Sequence, residues 1–115
     1  MKELTYFLQD GFILACILAC PSVTVSNLSA ALRAYDEVRR PRAQEVHRRS
    51  QDQGLLYHLR REGWIGISAE QSTAGMYPSE LPAMLADKAT ANMDWTRTTS
   101  IEVDQARAVE MVERL

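Results

Sequence analysis

One stretch of the chain, from Ala30 to Val46, reads AALRAYDEVRRPRAQEV. Apolar residues recur along one face of this stretch and its flank at helical spacing: Leu28, Leu32, Tyr35, Val38, Ala43 and Val46. Asn27 is a favoured N-cap residue, and Gly54 is a candidate stop. Pro41 removes one backbone donor inside the period, so we expect a kink or a break there. The stretch therefore predicts a kinked, Arg-rich helix over residues 27–58.

Charge is distributed unevenly along the chain. From Arg33 to Arg61 eight arginines stand against four acidic residues, a net +4, whereas the rest of the 115 residues carries −6. Such a basic segment occurs in nucleic-acid-binding proteins, but here it has neither interleaved aromatic residues nor a recognisable module. A solvated helix face is the favoured interpretation, and we expect no nucleic-acid partner.

The N-terminal segment, residues 1–20, predicts another helix. Its helical period is carried by Leu4, Phe7, Leu8, Gly11, Leu14, Ala15 and Leu18, and Pro21 should end it. From Phe12 to Cys20 all nine residues are apolar, which is typical of a helix buried on more than one face.

Nine apolar residues are too few to cross a bilayer, which takes about 20. Gln9 and Asp10 also interrupt the approach to the apolar run, and Lys2 is followed by Glu3, unlike the positive start of a signal peptide. We therefore expect no membrane partner and a cytoplasmic location, with an exported or lipid-anchored peptide as the weaker alternative.

Downstream, residues 63–98 predict an irregular segment. Gly63, Gly66, Gly75, Pro78 and Pro82 punctuate it, Trp64–Ile67 reads as a short strand or an extended loop, and Glu80–Ala91 has weak helical character. Residues 99–115 predict a final helix, with Thr99 and Glu102 as a capping box. The predicted fold class is mostly α, with three main helices and an irregular middle.

Few residues offer chemistry of their own. Cys16 and Cys20 lack the further ligands that a zinc site needs, and His47 and His58 have no carboxylate or thiol cluster beside them. Buried reduced thiols and surface histidines are the expected outcome, and no metal is predicted. Asp10 is an unusual polar residue in an apolar helix and would need a partner if buried. The catalytic residues remain unknown from the sequence.

A family resemblance rests on Ala31, Leu32, Tyr35, Arg39, Arg40, Pro41 and Arg42. They match the pattern A-L-x-x-Y-x-x-x-R-x-P-R in a C-terminal helix of the salicylate hydroxylase-like, FAD-dependent aromatic monooxygenases (group A flavoprotein monooxygenases). Gln9–Ala15 resembles the helix that follows the Gly-rich turn of that family, and Asp94-Trp95 resembles its tail. The resemblance is strongest over Leu28–Tyr57 and poor over Arg60–Asn92.

The resemblance implies a fragment of an α/β FAD-binding fold. Its parent enzymes use FAD and NAD(P)H to hydroxylate a phenolic or aromatic acid ring, and the first helix of this chain would point its N-terminus toward the flavin. However, the sequence lacks the GxGxxG phosphate-binding pattern, and Asp10-Gly11 is not in the context of the DG motif of the family. No cofactor-binding residue therefore carries over, and the chain alone is predicted to be inactive and to bind no cofactor. Tyr35, Arg39, Arg40, Pro41 and Arg42 are expected to be structural.

The predicted helices alone also indicate that the chain is part of something larger. An apolar first helix has little to cover it in a chain with two further helices, so we expect a single incomplete domain over residues 1–115. The resemblance implies that its missing partner is an N-terminal FAD-binding part. The alternative is a small helical interaction module without catalytic activity, in which a homo-oligomer buries the first helix against itself.

Overall fold

The computed structural model describes residues 2–60 and 64–115, with side chains from Tyr6 onward in the first helix. Its elements are α1 (Lys2–Leu18), a 3₁₀ turn (Val25–Asn27), α2 (Leu28–Tyr57), α3 (Ala69–Thr73), α4 (Leu81–Thr98) and α5 (Ile101–Glu113). The described residues contain no strand, so the prediction of a mostly α protein is confirmed. Contacts divide the chain into a terminal unit, residues 1–45 and 100–115, and a central unit, residues 46–99.

The connection between α1 and α2 is held by side chains. The Asn27 amide donates to the Ser22 carbonyl at 2.8 Å and accepts from the Thr24 backbone N–H at 2.7 Å. The Ser22 hydroxyl in turn donates to the Val112 carbonyl at the end of α5, at 2.9 Å. Helix α2 starts one residue after Asn27, as predicted, but Asn27 belongs to the 3₁₀ turn that leads into α2, and the N-cap of that turn is Thr24.

Helix α2 runs through Pro41 without a break. Pro41 is exposed, so water can reach the Glu37 carbonyl that loses its intrahelical donor. The helix also continues past Gly54, the predicted stop, to Tyr57. It closes with Leu59 in the left-handed region (φ 54°), while the Arg60 N–H donates to the Leu55 carbonyl at 2.9 Å.

The segment predicted to be irregular contains α4, an 18-residue helix, which begins where weak helical character was predicted and continues beyond Ala91 to Thr98. Pro82 lies within the first helical turn, where the missing N–H costs nothing. Trp64–Ile67 forms a turn, with the Ile67 N–H donating to the Trp64 carbonyl, and is neither a strand nor extended. Two predictions, the break at Gly63 and the place of Leu4 on the first helix face, lie outside the described residues and side chains.

The cap of α5 is Ser100, one residue after the predicted Thr99. The Ser100 hydroxyl accepts the Glu102 N–H at 3.1 Å. The Thr99 hydroxyl instead donates to the Trp95 carbonyl at 3.0 Å, which ends α4. Two adjacent hydroxyl residues thus serve two successive helices.

The core of the terminal unit joins α1, α2 and α5. Its buried members are Ile13, Ile17, Ala31, Ala34, Val38, Ala108 and Val112. The face of α2 that enters it is therefore offset from the predicted one, since Leu28 and Leu32 are 37% and 43% exposed. On α2 and α5, alanines face the core of this unit, and their small side chains allow the helices to pack closely.

Helix α1 buries one side only. Ile13 and Ile17 are fully buried, whereas its opposite side exposes an apolar strip made of Phe7, Leu8, Phe12 and Leu18. The prediction that α1 is buried on more than one face is wrong for the described residues. None of the helices in the described ranges is both long and apolar enough to span a membrane.

Candidate functional site: a buried arginine centre

Arg39 is the most deeply buried charged residue described, at 4% exposure. It lies on the core face of α2, one residue after the buried Val38. Its Nε donates to Asp10 Oδ1 on α1 at 2.7 Å, and another guanidinium nitrogen donates to Asp104 Oδ2 on α5 at 2.5 Å. One guanidinium group therefore joins the three helices of the terminal unit.

A second arginine completes this centre. Arg42, one turn further along α2, places its Nε 3.7 Å from Asp104 Oδ2. The centre thus contains two guanidinium groups and two carboxylates and carries no net charge. Opposite charges must be paired here because moving an isolated charge from water into the protein interior costs a large free energy.

Geometry decides what this centre can do. Asp10 and Asp104 keep side-chain exposures of 37% and 22%, so water still reaches both carboxylates, whereas the Arg39 side chain is 5% exposed. The forked guanidinium suits simultaneous pairing in two directions, which an ammonium group would not reproduce. The centre fixes the orientation of α1, α2 and α5 relative to one another and presents no nucleophile or proton acceptor poised for chemistry.

Tyr35 lies at the edge of the same core. Burial raises the pKa of its phenol, the charge of Asp10 raises it further, and Arg39 lowers it. A raised pKa keeps the phenol protonated at neutral pH. Tyr35 therefore adds no charge to the centre.

The five signature residues thus separate into two groups. Arg39 and Arg42 join the centre and Tyr35 borders it, whereas Pro41 and Arg40 face solvent. Arg40 pairs with Asp36 one turn away on the exposed side of α2. From the sequence, all five residues were expected to be structural, but their spacing could not show which of them contact other helices.

The remaining chemical candidates stay apart. His47 and His58 are exposed, as predicted. Cys16 and Cys20 are free and half-buried, and the Gln105 amide lies 3.5 Å from Cys16 Sγ. Among the residues that the structure describes, no group of three His, Cys, Asp or Glu could hold a metal.

A pocket of about 310 Å³ in the central unit was not predicted from the sequence. It lies between α2 and α4 and is lined by Arg48, Arg49, Asp52, Leu56, Lys88, Ala91 and Asn92. Its lining residues are about 40 positions apart in the chain, so no local pattern reveals it. The only sequence signal was the basic character of α2.

The described residues do not fit a flavin pyrophosphate. That group is held by backbone amides of a Gly-rich loop between a strand and a helix N-terminus. No two glycines of the chain are separated by a single residue, as the loop requires. Gly75, with φ +71°, follows α3, and Gly66, with φ +88°, is a single glycine before a five-residue helix.

Sequence comparison shows which proteins the chain is similar to. A salicylate hydroxylase of Pseudomonas putida is 30% identical over 101 residues, which are 88% of this chain and 20% of that enzyme. Over most of its length the chain is therefore similar to part of a salicylate hydroxylase. A 3-amino-4-hydroxybenzoate 2-monooxygenase of Streptomyces platensis is 42% identical over 52 residues, 45% of the chain and 12% of that enzyme.

The chain spans about a fifth or less of the length of the curated monooxygenases it matches, as expected for a match to the C-terminal portion of such an enzyme. The longer match covers so much of this chain that it includes all of α2 and α4. No protein-family model matches the chain. No solved structure matches it either.

Proposed function

We propose that this chain is the C-terminal helical part of an FAD-dependent, NAD(P)H-using monooxygenase that hydroxylates a phenolic or aromatic acid ring. In this proposal residues 1–115 form one incomplete domain of a cytoplasmic enzyme. The chain contributes packing to the flavin-binding part and holds neither cofactor itself. The signature residues Tyr35, Arg39, Arg40, Pro41 and Arg42 are structural, and hydroxylation needs residues outside this chain.

The observation that carries the proposal is the apolar strip of α1. Phe7, Leu8, Phe12 and Leu18 are 74%, 63%, 46% and 47% exposed, and they lie on the side of α1 opposite the buried Ile13 and Ile17. Fully covering one large apolar side chain contributes roughly 1.5–3 kcal/mol, so a covering surface for this strip would stabilise the fold by several times RT. A contiguous apolar strip of this kind marks an interaction surface.

The relatives indicate what covers the strip. The matching segment of the P. putida enzyme belongs to a chain about five times as long as the match. The remaining polypeptide is therefore available to cover α1 within one molecule. On this basis the occupant of the strip is the flavin-binding body of the enzyme.

Light scattering after size exclusion, with a dye that binds apolar surface, tests this assignment. We expect the 115-residue chain to unfold cooperatively, to bind dye and to associate through the strip without a fixed stoichiometry. Phe7→Ser combined with Phe12→Ser should lower the dye signal about twofold or more, because it removes the two rings of the strip. The matched control, Val25→Ser with Val103→Ser, removes two valines that are 93% and 69% exposed outside the strip, and it should leave the signal unchanged.

Two outcomes would count against the proposal. A discrete dimer with a cooperative melt, dissociated by the double serine variant, would favour the interaction module, in which a second copy covers the strip. A monomer that binds no dye would show that the strip is not an interaction surface.

A further inference from the structure

The side chains that line the pocket of the central unit favour anionic ligands. Arg48 and Arg49 come from α2 and Lys88 from α4, against one carboxylate, Asp52. Asp52 lies 3.8 Å from Arg48, and the two side chains are 30% and 58% exposed. The lining therefore carries a net charge of +2 within a concave site, which raises the local concentration of anions.

The walls of the pocket are held in place by independent contacts. The Asn92 amide donates to the Arg49 carbonyl at 2.8 Å and to Gln53 Oε1 at 3.0 Å, which joins α4 to α2. The Arg49 guanidinium lies over the Trp95 ring at 5.0 Å from its centroid. These contacts order the pocket before any ligand arrives, which lowers the entropic cost of binding.

Part of the lining is apolar. Ala91 is exposed and supplies a hydrocarbon surface beside the cationic groups, whereas Leu56 also lines the pocket but, at 3% exposure, offers a ligand little surface. The volume of about 310 Å³ lies at the lower end of the range for small-molecule sites. The pocket thus matches a ligand with one anionic group and a compact apolar body.

We propose that this pocket binds a small amphiphilic carboxylate. Its carboxylate lies against Lys88 and Arg48, and its apolar body contacts Ala91. Because Lys88 is exposed and the site is open to water, the affinity is modest, with a dissociation constant on the order of 1 mM. The proposal concerns the central unit alone and does not depend on the flavoenzyme assignment.

Saturation-transfer NMR on the full chain tests the site with benzoate, and with benzamide as its uncharged equivalent. We expect saturable benzoate binding, at least about threefold weaker binding of benzamide, and poor competition by inorganic phosphate, which lacks the apolar body. Equal binding of benzamide, strong competition by phosphate, or no saturable benzoate binding would each overturn the proposal.

Two pocket variants should act in opposite directions. Lys88→Gln should weaken benzoate binding about threefold or more, and Asp52→Asn should strengthen it, since one removes an attracting charge and the other a repelling one. Arg107→Gln, which removes an exposed arginine of the terminal unit that pairs with Glu37, is the matched control and should change nothing. Loss of folding cannot tighten binding, so Asp52→Asn keeps the test decisive if Lys88→Gln is unstable. An unchanged or weaker affinity in Asp52→Asn would contradict the site.

Discussion

Arg39→Met should lower the free energy of unfolding by about 3 kcal/mol, the lower end of the range for breaking a buried ion pair. The substitution removes the group that joins Asp10 and Asp104, and it leaves Arg42 as the remaining cation of the centre. Hydration of the partly exposed carboxylates keeps the loss from being larger. Urea unfolding followed by circular dichroism measures it.

Arg40→Met is the matched control for this prediction. Arg40 is the next residue of α2, but its side chain is 63% exposed and it pairs with Asp36, within the same helix. Exposed pairs of this kind contribute about 0.3–0.5 kcal/mol. Equal losses in the two variants, or a loss below 1 kcal/mol for Arg39→Met, would contradict the central role of Arg39.

Double-mutant cycles refine the result. Arg39 should be coupled more strongly to Asp104 than to Asp10, because the Asp104 side chain is 22% exposed and that of Asp10 is 37% exposed. Stronger coupling to Asp10 would show that burial does not set the strength of these pairs.

Ile17→Ala should also destabilise the chain by about 3 kcal/mol, within the range for truncating a large buried side chain to alanine. Ile17 is fully buried among the core residues of the terminal unit, and its loss leaves a cavity between helices whose small alanines cannot expand to fill it. The same urea titration measures the change.

Leu18→Ala provides the comparison at the neighbouring position. Leu18 is 47% exposed on the apolar strip, so its truncation should cost less than about 1 kcal/mol. A larger loss at Leu18 than at Ile17 would mean that the buried face of α1 has been assigned to the wrong side.

The sequence predicted the ends of helices to within a few residues where a single residue restricts the adjacent backbone. Pro21 marks the end of α1 within a few residues, because proline acts on the adjacent backbone. Asn27 lies one residue before α2, but its side chain accepts the Thr24 N–H within the 3₁₀ turn, and Thr24 is the N-cap of that turn. Thr99 was one residue from the true cap because Thr99 and Ser100 are both capping residues, and only the path of the chain selects between them.

The features that the sequence did not predict depend on how the helices pack in the folded chain. Leu28 and Leu32 are more apolar than Ala31 and Ala34, but the close approach of the core helices selects the alanines. The sequence of α4 has no strong apolar periodicity. Pro82 indicated a break in helical structure, although it lies in the first turn of α4, where proline is tolerated.

The arginine centre was only partly predictable. Asp10 was predicted to need a partner if it is buried, and Arg39, Arg40 and Arg42 were predicted to be structural. Their meeting joins residues 29 and 65 positions apart, which no spacing rule covers. The pocket of the central unit has the same origin, in side chains brought together only by folding.

Titration of FAD into the folded 115-residue chain, followed by quenching of flavin fluorescence, most directly tests the claim that this segment supports a flavin-binding body without holding the flavin. Circular dichroism should first show helical, cooperatively unfolding protein, so that a negative result has meaning. We predict no saturable quenching and no oxidation of NADH with an aromatic acid present. Stoichiometric flavin binding, or hydroxylation of a phenol by the chain alone, would contradict the claim.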